Sequence, residues 1–65
     1  MNANQNSGIL SIDDLNRYVE MGNEAIEGGN VDECIKWYTL GLSKARALKN
    51  SVKATEFSHL LITLL

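Results

Sequence analysis

Three residues in this sequence carry side chains equipped for chemistry, Cys34, Trp37 and His59, and their spacing keeps their chemistries apart. Cys34 is the only cysteine, so no intrachain disulfide and no cysteine-based metal cage can form within one chain. It lies near the start of an expected helix without a cationic neighbour strong enough to activate a thiolate, so it reads as a small core residue. His59 has Glu56 one helical turn before it, but two candidate ligands do not make a metal site, and a solvated histidine is the expectation. Serine, histidine and aspartate all occur, yet nothing groups them, and a chain of 65 residues offers no cleft to hold a catalytic constellation dry. The sequence therefore reads as a non-enzyme with no cofactor. Trp37 is a candidate partner-binding residue, because interface energy concentrates in such side chains; the competing expectation is that a third helix covers it.

The elements that would position these residues are helices. Residues 1–8 are polar, rich in Asn and Gly and without periodicity, so residues 1–10 read as a flexible lead-in to a single module over 11–65. Ser11 followed by Asp14 reads as an N-cap signal, so the first helix is expected to start near Ile12, with Asp13 and Asp14 in its first turn where they favour the helix dipole. Leu15, Tyr18, Val19, Gly22, Ala25 and Ile26 recur three and four apart and share one face. Gly28-Gly29-Asn30 ends that helix, and Asn30 with Glu33 starts the next, expected to run to about Leu48. Its apolar stripe is Val31, Cys34, Ile35, Tyr38, Gly41, Leu42 and Ala45, and Asp32 is placed one turn from Lys36 for an ion pair. Asn50 reads as a stop and Ser51 as the N-cap of a third helix, with Val52, Phe57, Leu60, Leu61, Leu64 and Leu65 on its apolar side. The run 60–65 is apolar almost all round, which leaves a β-strand as a competing reading there. Short connections make neighbours antiparallel. The fold class expected is all-α, an antiparallel helix-turn-helix with a third C-terminal helix.

Read together, the first two helices resemble the tetratricopeptide repeat (TPR), whose pattern joins an aromatic, a Leu-Gly pair and a second aromatic to a small residue and an aromatic on the next helix. Tyr18, Met21, Gly22 and Ala25, then Cys34, Tyr38 and Gly41, with Gly29 at the turn, carry the likeness over roughly residues 15–48. Ala25 replaces the second aromatic, and Arg46 stands where the family often has proline. A shift by 40 places Leu61 under Met21 and Ile62 under Gly22, so the chain reads as about one and a half repeats. The expected packing has Gly22 and Gly41 bringing two helices close while Tyr18 and Tyr38 fill the volume where they diverge.

The resemblance implies a protein-protein interaction module, an adaptor or scaffold fragment that binds a peptide, a helix or a neighbouring helical repeat. In the family the first helix lines the groove, which assigns that role to Val19, Asn23 and Ile26. Repeats that clamp chaperone tails use a Lys and an Asn one turn later; Asn23 holds the Asn position, but Val19 stands at the Lys position and cannot hold a carboxylate. Leu61, Leu64 and Leu65 form a second candidate surface, because a repeat contacts only its neighbours and no polar cap closes the C-terminal end. Burying each such leucine contributes about 1.5–3 kcal/mol, so a homo- or hetero-oligomer through that end is expected. The alternatives are a three-helix domain similar to the microtubule-interacting-and-trafficking (MIT) family, which binds short helices of membrane-trafficking proteins, and a self-assembling helical unit with no groove ligand. A net charge of -2 with no basic stripe argues against nucleic acid. The absence of a long apolar run argues against membrane insertion, and the lack of a signal-like start makes a cytoplasmic, or nuclear, setting the expectation.

Overall fold

The computed structural model describes residues 12–65, which form three helices: α1, Ile12–Glu27; α2, Val31–Ala47; and α3, Ser51–Thr63. The expected N-cap at Ser11 and the lead-in lie outside the described residues. The apolar run at the C-terminus is helical through Thr63, which removes the strand reading. Long helices joined by three-residue turns run antiparallel, α1 against α2 and α2 against α3, so α1 and α3 point the same way. α2 packs against both neighbours, whereas α1 and α3 approach each other only marginally.

The two turns are built alike. At the end of α1 the Asn30 N–H donates to the Ala25 carbonyl (2.8 Å) and the Gly29 N–H to Ile26 (3.0 Å); at the end of α2 the Asn50 N–H donates to Ala45 (2.9 Å) and the Lys49 N–H to Arg46 (3.0 Å). Both are Schellman closures, which need one left-handed residue. Gly29 supplies it at φ +83° without strain, and Lys49 supplies it at φ +58°, where a Cβ crowds the backbone. The same asparagines then open the next helix. The Asn30 side chain accepts from the Glu33 N–H and the Asn50 side chain from the Lys53 N–H, each at 3.1 Å. Asn50, not Ser51, is therefore the cap of α3: once Lys49 has taken the left-handed position, Asn50 is the first residue free to point its carbonyl oxygen into the helix, and Ser51 is already helical.

Leu15, Cys34, Tyr38, Ala45 and Phe57 are buried, with Tyr18, Val19, Ala25, Ile26, Leu42, Ala54, Leu60, Leu61 and Leu64 packed around them. Two ring-on-glycine contacts organise this core. The Tyr38 ring lies on Gly22, and the Phe57 ring lies on Gly41; in each case a glycine seats a ring sixteen positions later, on the next helix. A Cβ at either glycine would overlap the ring. This corrects the expected packing in two respects. Gly41 serves the contact between α2 and α3, and Tyr38 fills the glycine notch instead of wedging the helices apart. Helical stripes are wider than the contact they make, so Val31, Ile35 and Val52 remain exposed although their spacing places them with the core residues; Val52 is 75% exposed. Lys36 pairs with Glu33 (3.7 Å), not with Asp32 as the sequence suggests, because Glu33 also accepts from the neighbouring Trp37 and is held there.

Replacing Gly22 or Gly41 by Ala forces a ring out of its seat, a repacking that costs about 1–3 kcal/mol and outweighs the roughly 0.5–1 kcal/mol that Ala gains as a helix former. Urea unfolding should show both variants destabilised, while Gly28→Ala, whose added Cβ would meet nothing closer than 3.6 Å, should lose nothing. Lys49→Gly should act in the opposite direction and raise stability by about 0.5–1 kcal/mol, read as a higher thermal midpoint; no gain there would mean that the second turn carries no strain.

Candidate functional site

Two surfaces collect the residues singled out from the sequence. The first is a furrow between α1 and α3, left open because both helices pack on α2 and barely on each other. Asn16, Val19, Asn23 and Ile26 form one strip of α1, at i, i+3, i+7 and i+10. Lys53, Glu56, Leu60 and Thr63 form a strip of α3 with the identical spacing. The two strips run in the same direction and are tied at their foot, where the Lys53 ammonium donates to the Asn16 side-chain carbonyl and to Glu56 at 3.1 Å. Higher up, the Tyr38 hydroxyl donates to the Asn23 side-chain carbonyl, so the residue that fills the core also holds a polar side chain at the rim of the furrow. Val19 and Ile26 are half-buried against the core, and Asn23 is exposed at the rim. A depression of about 320 Å³ lies on the α3 side, lined by Glu56, His59, Leu60 and Thr63.

The second surface is the end of α3. Leu61 and Leu64 are half-buried against the core, whereas Ile62 is 61% exposed and Leu65 fully so. The sequence reading did not single out Ile62 for this surface; its position between Leu61 and Thr63 on an unpartnered turn was the available signal. The predicted residues thus divide between two surfaces, with Val19, Asn23 and Ile26 brought together in the furrow and Leu61, Leu64 and Leu65 at the helix end.

Trp37 belongs to neither. Its ring stacks on Tyr18 at a centroid distance of 5.9 Å and an interplanar angle of 27°. Its indole N–H donates to Glu33 at 3.0 Å, and the Lys36 ammonium stands 5.6 Å above the ring. The tryptophan is half-buried, packed on Tyr18 of α1 and not on the third helix, because its place on α2 turns it toward α1.

The residues singled out for their chemistry stand apart among the described residues. Cys34 is a free thiol sealed in the core, His59 is exposed, and no group of three potential ligands converges. Every buried side-chain nitrogen or oxygen among the described residues is hydrogen-bonded. The Tyr38 phenol is pushed up to about 12, chiefly by burial and then by the adjoining Cys34 thiol. No helix among the described residues is long and apolar enough to cross a membrane. No family model matches the chain, and neither the curated proteins nor the solved structures contain a match.

Burial favours the neutral phenol, so folding holds Tyr38 protonated above the ordinary value of 10.0. The corresponding stability is fully present below pH 10 and is lost as the pH rises toward about 12. In a Tyr18→Phe background, where Tyr38 is the remaining tyrosine, absorbance at alkaline pH should show phenolate appearing near pH 12. A midpoint near 10 would show the ring to be solvated.

Proposed function

We propose that this chain is a protein-protein interaction module of the TPR type, about one and a half repeats long, which binds a peptide or helix in the furrow or completes a larger helical scaffold through α3. The observation that carries the reading is the glycine seat: Gly22 is buried beneath Tyr38, in the small-against-aromatic pairing by which the sequence resembles the family. Two further features support it. α3 stacks on α2 as a following helix would, leaving α1 and α3 parallel with a furrow between them. Val19, Asn23 and Ile26, the positions to which the resemblance assigns groove contacts, all lie along that furrow. A cytoplasmic or nuclear adaptor role goes with this reading, and catalysis has no part in it.

One observation favours a second reading, self-assembly. Ile62 and Leu65 leave apolar surface uncovered beside the half-buried Leu61 and Leu64, and a contact surface of that kind is lowered in free energy by meeting another apolar surface.

The two readings separate in one set of measurements on the whole chain. Immobilised wild type should capture specific proteins from extract, and the exposed double substitution Ile62→Asp/Leu65→Asp should leave the helical signal intact. Loss of every captured protein in that variant places binding at the end of α3; an unchanged set places it in the furrow. A wild type that captures nothing specific but shows a concentration-dependent mass by light scattering, abolished by the double substitution, establishes self-assembly. A monomer that captures nothing defeats both.

A further inference from the structure

The charges of this chain are not evenly spread. α1 holds five of the eight acidic residues, Asp13, Asp14, Glu20, Glu24 and Glu27, and only one of the six basic ones, Arg17. Two of the acids belong to the furrow. Asn16, Glu20, Asn23 and Glu27 stand at i, i+4, i+7 and i+11, a single stripe of the helix. Its two asparagines are bonded toward α3 and α2, through Lys53 and Tyr38 respectively. Glu20 and Glu27, alternating with them, must therefore line the same rim; both are exposed, and neither forms an ion pair among the described residues. Across the furrow Glu56 adds a third carboxylate beside the depression that it shares with His59, Leu60 and Thr63. Lys53, the basic member of the two strips, is already held by Asn16 and Glu56 at the foot and turns no free charge toward an incoming group.

Between these rims the surface is apolar, with Val19 and Ile26 from one side and Leu60 from the other, each half-buried and so partly open to contact. An apolar strip bordered by carboxylates, Glu20 and Glu27 without an ion pair among the described residues and Glu56 already bonded to Lys53, selects against an acidic ligand by like-charge repulsion and favours a cationic one, whose long stems can lie along the apolar floor while their heads reach the rim. The strip from Asn16 to Ile26 extends about 15 Å along the helix, the span of about five residues of extended chain. We infer that the furrow takes a short basic peptide segment, in which Lys or Arg side chains meet Glu20, Glu27 and Glu56 and an apolar side chain rests on Val19, Ile26 and Leu60. This specifies the partner class of the interaction module proposed above and rests on that reading. It reverses the charge preference of a clamp for carboxylate tails, consistent with Val19 occupying the position where such a clamp carries lysine.

The test is a titration of the isotopically labelled chain, followed by amide chemical shifts, with three short probes: a peptide of Lys, Leu and Gly, the same peptide with Glu for Lys, and the same with Ser for Lys. The Lys peptide should move amides of the furrow strips on α1 and α3, with an affinity that falls as salt is added. The Glu peptide should move none of them. Glu20→Lys/Glu27→Lys, at two exposed sites, should preserve the spectrum of a folded chain and weaken binding of the Lys peptide about tenfold. The inference is overturned if the Lys peptide leaves the furrow amides in place, if the double variant binds it equally well, or if the Glu or Ser peptide binds there as strongly. In this last case the furrow is still a peptide site, and only the basic partner is wrong. If furrow amides respond to none of the probes but shift with protein concentration, the occupant is a second copy of the chain; if they respond to nothing, the groove reading falls as well.

Discussion

The structure depends on an aromatic ring packed against a helix where that helix has no side chain. Tyr38 on Gly22 joins α1 to α2, and Phe57 on Gly41 joins α2 to α3. The two rings are themselves in contact across the core, with centroids 6.5 Å apart and planes inclined by 54°. In a chain this small the buried set is short, and close approach at two glycines lets five buried residues span three helices. Loss of either seat would weaken the hold of α2 on one outer helix, which the other outer helix does little to support.

The helix ends follow from an equally economical device. Each asparagine at a turn closes one helix with its backbone N–H and opens the next with its side chain, so that a three-residue connection satisfies the termini on both sides. The construction also fixes direction: two reversals in succession bring α1 and α3 into parallel alignment, which is what allows their strips of identical spacing to face a common furrow. Tyr38 links this architecture to the surface. Its ring is part of the core, while its hydroxyl emerges at Asn23, so one rim of the furrow is held by the same residue that seats α1 on α2.

Much of the fold was legible in the residues. The periodicity of Leu15 through Ile26 and of Cys34 through Ala45, the Gly28-Gly29-Asn30 turn and the Asn30 cap all specify local structure, and the helices begin and end within a residue or so of where those signals stand. The second turn was less legible because Lys49 occupies the left-handed position that glycine would announce, which displaced the expected cap from Asn50 to Ser51. Of the candidate site, spacing alone places Val19, Asn23 and Ile26 on one strip of α1 and the family resemblance assigned that strip to a groove, whereas its pairing with Lys53, Glu56, Leu60 and Thr63 could not be read, since periodicity says which residues share a face and not which face meets which helix.

The sequence by itself determined three helices, the Asn30 cap, their order and the composition of each stripe, because these depend on interactions within a few residues along the chain. Tertiary structure alone decided that Gly41 receives Phe57 and not a ring from α1, that Trp37 stacks on Tyr18, and that Asn16 of α1 meets Lys53 of α3. Each of those outcomes turns on how far one helix rotates about its own axis when it packs against another, a rotation set jointly by all the side chains in contact and encoded at no single position.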